Sequence, residues 1–233
     1  MEQPSLTING VSKAAVAPNT FDEVKQALDL LGLRSEQPVI VVVGGAGGMS
    51  QEDIEKVQQF LEDYLVPFAR ERNAAIVDGG TDSGVMAAIG RARQKARAEF
   101  PLVGVVAREV ENVMDILEPN HTHFVLCPGA SWGDESEWIP VTARTLAGTQ
   151  TSAAILINGG KIAWRDAEYS VKYGQPVLIA EGSGRTADVI ATTSTGMQFD
   201  KQAIALLRTG MVHVANFFKD PAKFIEKLAN LVR

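Results

Sequence analysis

Four short segments, "GGAGGMS" (44–50), "DGGTDSG" (78–84), "NGG" (158–160) and "EGSGRT" (181–186), each follow an apolar run and precede a helix-prone stretch. Strand, tight turn and helix in that order suit phosphate or sugar binding. Glycine lets a ligand approach the backbone, and the N–H groups of the following helix add donors and partial positive charge. Charge-assisted hydrogen bonds of this kind contribute about 1.5–3 kcal/mol each. A single segment is equally well explained as turn chemistry, because glycine supplies positive φ without any ligand. Four together point to an anionic, nucleotide-like ligand.

The first segment is not a P-loop, because Met49 stands where GxxxxGK[ST] needs its lysine and the glycine spacing is one residue short. Counted from Gly45 against GxGxxG, Gly47 matches and Ser50 takes the third place, as a helix N-cap and a hydroxyl for phosphate. Asp78 holds the position at which dinucleotide folds place an acid on a ribose hydroxyl. In "WGDESEW", Trp132 either stacks on a base or anchors its loop. Asp134 and Glu135 bind ribose, act as acid and base, or form an acidic turn capping the helix that begins near Ser136. His121 and His123 share a strand face, with no carboxylates at a recognisable metal-site spacing; no metal is expected, and both should line the cleft or cap its rim. Cys127 reads as a small buried hydrophobe.

The elements that must position these residues follow from the hydropathy pattern. Continuous apolar runs at 39–43, 74–77, 102–107, 123–127, 153–157, 176–180 and 211–215 predict strands covered on both faces. Helices are predicted at 51–72, 83–98, 137–150, 161–173, 186–191, 199–208 and 220–231. Residues 1–37 form an N-terminal segment, with "LTINGVSKAAVAP" as an edge hairpin and a helix capped by Thr20 and ended by Gly32. The expected fold is a single α/β domain over 1–233: a doubly wound, mainly parallel sheet of about seven strands with helices on both faces, Rossmann-like. In such a sheet the ligand sits at the carboxyl ends of the strands.

With 233 residues, 45% hydrophobic, a net charge of −6 and interspersed signs, the chain matches neither a nucleic-acid nor an anionic-membrane partner. One cysteine permits no internal disulfide, and no stretch approaches the roughly 20 apolar residues of a membrane span. A cytoplasmic location and a homo-oligomer, a dimer, are expected.

The segments "VVVGGAGG", "DGGTDSGVMAAIGRA", "LEPNHTHFVLCPGASWGDES", "INGGKIAWRD" and "PVLIAEGSGRTADVIA" resemble the SLOG superfamily, in particular prokaryotic relatives of the SLOG domain of melastatin-type TRP channels, over about residues 38–192. The resemblance implies a Rossmann-like fold and a nucleotide-derived ligand such as ADP-ribose or an NAD relative, with no other cofactor required. The glycine edge and the residues weighed above say independently where that ligand should sit, on a binding set of Gly45, Ala46, Gly47, Gly48, Ser50, Asp78, Gly79, Gly80, Thr81, Gly84, Trp132, Asp134, Glu135, Asn158, Gly159, Gly160, Glu181, Gly182, Ser183, Gly184 and Arg185. The same superfamily contains the LOG-type phosphoribohydrolases, which carry PGGxGTxxE. Laid on that motif, Gly159 and Gly160 persist, Asp166 falls on the catalytic glutamate, and the Gly-Thr pair becomes Ile162 and Ala163. Losing that pair removes phosphate-side donors. The expectation is therefore a binding or sensing module, with Asp166 on a ribose hydroxyl or as an ordinary first-turn acid. The alternative is an N-glycosidic hydrolase with Asp166 catalytic. A ligand-free structural homodimer would have to explain all four glycine turns as packing.

Overall fold

The computed structural model describes residues 2–33, 35–45 and 49–232. An antiparallel hairpin of β1 (Leu6–Ile8) and β2 (Val11–Val16) opens the chain. Asn9 and Gly10 at its tip both have positive φ, 50° and 78°, as a two-residue type I′ turn requires. Seven further strands follow: β3 (Val39–Gly44), β4 (Ala75–Asp78), β5 (Leu102–Ala107), β6 (His123–Cys127), β7 (Ser152–Ile157), β8 (Val177–Glu181) and β9 (Val212–Asn216). Together they make one nine-stranded sheet in the order β1-β2-β6-β5-β4-β3-β7-β8-β9, parallel everywhere except between β1 and β2. The hairpin thus extends the expected seven strands to nine, because β2 pairs in parallel with β6.

Nine α-helices lie among the described residues: α1 (Val24–Leu30), α2 (Gln51–Phe60), α3 (Val66–Glu71), α4 (Gly84–Lys95), α5 (Trp138–Ala147), α6 (Lys161–Lys172), α7 (Arg185–Ser194), α8 (Lys201–Leu207) and α9 (Pro221–Leu231). They cover both faces. Along β3, Val39, Val41 and Val43 pack into one apolar core with residues of α1, α5, α6, α7 and α8, while Ile40 and Val42 pack into a second with α2, α4 and α9. The inner strands β3 to β8 are mostly apolar because their faces are covered, whereas the edge strands β1, β2 and β9 are partly exposed.

Two local expectations are corrected. The helix predicted over 51–72 is interrupted by a π turn at Leu61–Leu65. Pro67 lacks the N–H needed to continue the ladder and its ring would press on the carbonyl four residues back, which a wider turn accommodates. Thr20 is extended but makes no side-chain capping bond, and the first turn after it is a 3₁₀ turn at Phe21–Glu23.

No helix among the described residues is long and apolar enough to cross a membrane.

Candidate functional site

The chain runs outward from β3 through β4 and β5 to β6, then returns to place β7 on the other side of β3 and continues to β8 and β9. The β3/β7 boundary is therefore the point where the winding reverses, and a crevice opens there at the carboxyl ends of the strands. The glycine segments follow β3, β4, β7 and β8, which are contiguous and parallel, so all four open on the same edge.

A cleft of about 460 Å³ occupies that edge. Of the residues expected from the sequence, Gly45, Gly79, Thr81, Trp132, Glu135, Gly160, Asp166 and Arg185 line it. Ala46, Gly47 and Gly48 lie outside the described residues. Val42, Val43, Gly44, Ser83, Met86, Ile116, Ile139, Lys161, Ile162 and Ala163 complete the lining. Lys161 and Ile162 open α6, so the amino end of that helix faces the cavity.

Asp166 sits one turn into α6, is 6% exposed, and its Oδ1 has no hydrogen-bond partner among the described residues. Burial pushes its carboxyl up to about 7; the Glu135 charge adds to the rise, while Ser136 and Arg165 oppose it. Glu135 is raised as well, chiefly by burial, and both its oxygens accept the Gly133 N–H at 3.1 and 2.9 Å. Two largely buried carboxyls in the cleft wall thus hold protons more tightly than free acids do. Trp132 is 48% exposed at the rim, with its indole free to meet a flat ligand.

The other expected residues serve the loops around the cleft without lining it. Ser50 caps α2: its Oγ accepts the Asp53 N–H at 3.1 Å and donates to the Asp53 carboxylate at 2.7 Å. Asp134 Oδ2 closes its own turn, accepting the N–H groups of Ala130 and Ser131 at 3.1 and 3.0 Å. Asn158 and Ser183 tie the β7 and β8 loops together: Ser183 Oγ accepts the Asn158 N–H and Asn158 Nδ2 donates to the Ser183 carbonyl, both at 2.7 Å. Gly159 packs its bare Cα against Ala163, and Gly182 donates to Asp188 Oδ1 at 2.6 Å. Gly184 precedes α7 at a φ of +93°, and Gly84 opens α4. Glu181 faces a separate hollow with Asn216, Lys219 and Lys223.

Asp78 is fully buried: its Oδ1 accepts the Gly80 N–H at 2.7 Å and lies 2.8 Å from His121 Nε2. Neither it nor Gly80, which stacks on Gly104, lines the cleft. The expectation for the histidines is corrected too. His121 precedes β6 and is fully buried between carboxylates, and His123 pairs with the Thr122 hydroxyl at 2.7 Å. Cys127 is buried; burial first, and the nearby Glu135 charge, push its thiol far up. Among the described residues no group of three or more His, Cys, Asp or Glu is placed to hold a metal ion.

The lining residues that sequence reasoning missed are mainly apolar. Met86 and Ile139 lie on helix faces whose pattern signals only core, and Ile116 ends a 3₁₀ turn at Val113–Ile116 that carries no motif. Their signal is purely spatial.

The family model described as SLOG in TRPM, prokaryote, matches residues 37–226. The chain belongs to this family. Within it, this SLOG chain is 24% identical over 208 residues to mouse transient receptor potential cation channel subfamily M member 2 and 24% identical over 204 residues to the rat channel. The matches span 70% and 69% of this chain but only 14% and 13% of the channels. Among solved structures, TM1055 superposes with a TM-score of 0.58 at 18% identity, covering 81% of this SLOG chain and 98% of that one. A molybdenum cofactor binding protein from Rippkaea orientalis superposes at 0.56 and 12% identity, covering 83% and 98%. At those identities the likeness establishes the Rossmann-like fold and nothing finer.

Proposed function

We propose that this domain binds a nucleotide-derived ligand of the ADP-ribose or NAD type in the β3/β7 cleft and holds it without turnover. The observation that carries this reading is the Asp166 carboxyl: buried, without a partner for Oδ1, and set in the wall of a cavity built from three glycine loops. A buried polar atom without a protein partner costs about 1–3 kcal/mol, a cost that a ligand hydroxyl removes. With its acidity near neutral, this carboxyl accepts from or donates to a ribose hydroxyl. The amino end of α6 with Gly160, Lys161 and Arg185 supplies the phosphate side, and Trp132 the base side. A solved neighbour of the same fold is itself a molybdenum cofactor binding protein, which supports small-ligand binding on this scaffold.

Ile162 and Ala163 line the cleft with apolar side chains where the hydrolase motif carries Gly-Thr, which favours holding over cleaving. Calorimetric titration with AMP, NAD and ADP-ribose, followed by chromatography of the recovered ligand, tests this. Binding with the ligand returned intact is expected, and Asp166→Asn should weaken it by about 1.5–3 kcal/mol, as loss of a charged hydrogen bond does. Free adenine or nicotinamide released by the wild type and not by the variant would instead establish N-glycosidic hydrolysis, with Asp166 stabilising charge on the departing sugar. Trp132→Ala should weaken binding by about 0.5–1.5 kcal/mol if the indole stacks on the base; unchanged affinity would assign it to the loop alone.

A further inference from the structure

One wall of the cleft is made by two loops that come from distant parts of the chain. Gly79, Thr81 and Ser83 follow β4, and Ile116 lies in the segment before β6. Backbone bonds join the two: the Glu118 N–H donates to the Gly80 carbonyl at 2.9 Å, the Asp82 N–H to the Ile116 carbonyl at 2.7 Å, and Thr81 bridges Leu117. Behind this wall stands His121, fully buried, with Nε2 at 2.8 Å from Asp78 Oδ1 and Nδ1 at 2.7 Å from Glu118 Oε2. Asp78 belongs to the first loop's strand and Glu118 to the second loop.

We propose that His121 is a positioning residue for the cleft, its ring clamping the β4 loop to the 116–118 segment so that the wall keeps the shape a ligand needs. This rests on the reading of the cleft as a ligand site. A neutral imidazole has one N–H, so between two carboxylates one ring nitrogen would point a lone pair at oxygen; only the imidazolium donates on both sides. The surroundings agree. Burial lowers the basicity of His121, but the Asp78 and Glu118 charges and bonds outweigh it and raise the ring to about 9.

The other charged groups facing this cluster are Lys13 of β2, whose Nζ donates to the His121 carbonyl at 3.0 Å, and Arg93 of α4, whose charge acts on Glu118. Both are cations already paired with oxygen, so neither supplies the donor that the ring nitrogens give. The fit is close on the α4 side as well, because the Glu118 carboxylate occupies the space where any side chain on Gly90 would begin. Glu118 also accepts the Asn120 N–H and side-chain amide at 2.8 and 2.6 Å, which fixes it in place.

His121→Gln can donate to only one carboxylate and turns a carbonyl oxygen on the other. Amide hydrogen exchange and ADP-ribose titration on this variant test the clamp. It should exchange the Asp82 and Glu118 amides at least tenfold faster while β8 amides stay protected, and should bind ADP-ribose at least tenfold more weakly. In the wild type, exchange at these two amides, corrected for intrinsic rate, should rise only as pH passes about 9, which needs no variant to fold. Unchanged exchange in the variant, a flat wild-type pH series, or faster exchange with unaltered ADP-ribose affinity would each overturn the proposal. A wild type that binds no ADP-ribose overturns the reading of the cleft, while the exchange measurements judge the clamp independently.

Discussion

Asp166→Asn is expected to raise the urea midpoint of unfolding at pH 8 and to leave it nearly unchanged at pH 4. The carboxyl is 6% exposed, and burial lifts it from an ordinary 3.8 to about 7 in the folded chain. The sign follows from linkage: a group that binds its proton more tightly when folded favours the folded state at low pH and loses that advantage as pH rises from about 4 through 7. Above pH 7 the folded protein carries an ionised, poorly solvated carboxylate that the unfolded chain would solvate freely. Asparagine cannot ionise, and its amide presents a donor where the protonated acid already had one. Removing the charge should therefore gain about 2–4 kcal/mol at pH 8 and close to nothing at pH 4. Urea unfolding at the two pH values measures it. A variant destabilised equally at both would mean that Asp166 is an ordinary packed residue; the expected result marks it as a group retained at the expense of stability, as functional groups are.

The framework of this fold is legible in the sequence because burial on both faces leaves a strand no choice but to be apolar. "VIVVV", "LVGVVA" and "HFVLC" are read within one residue of β3, β5 and β6 for that reason. The glycine edge is legible as well, since β4, β3, β7 and β8 are neighbours and their loops converge. What those loops do individually is not. Asp134 and Glu135 are adjacent acids with opposite fates: one closes its own turn and the other faces the cleft. Asp78 carries the position of a ribose-binding acid, yet a histidine 43 residues later takes its carboxylate. No local spacing encodes that pairing; it exists only once β4 and β6 flank β5. Glycines divide in the same way, between those required by φ alone, such as Gly10 at +78° with open space around it, and those required by a neighbour's backbone.

Gly44 is of the second kind, and Gly44→Ala should be among the most damaging single-methyl changes in this chain. Gly44 ends β3, pairs with Ile157 of β7, and lines the cleft. A Cβ there would run into the Ile157 carbonyl oxygen and come within 3.0 Å of Val85 Cγ2. The oxygen is backbone, and it accepts the Gly45 N–H at 3.3 Å, so it cannot swing aside as a side chain would. The strands must part where the winding reverses. Overpacking of this sort costs about 1–3 kcal/mol and the weakened hydrogen bond about 0.5–1.5 more, so a loss of roughly 2–4 kcal/mol is expected. For a domain of this size that lowers Tm by roughly 5–15 °C. Gly79→Ala provides the control: it lines the same cleft, but its added methyl would meet nothing nearer than Met86 Cγ at 4.0 Å, and it should stay within about 1 kcal/mol of the wild type. Calorimetric melting of the two variants side by side separates strand contact from glycine loss in general. Equal melting temperatures would show that β3 and β7 yield at no cost, and that Gly44 is there for the ligand rather than for the sheet.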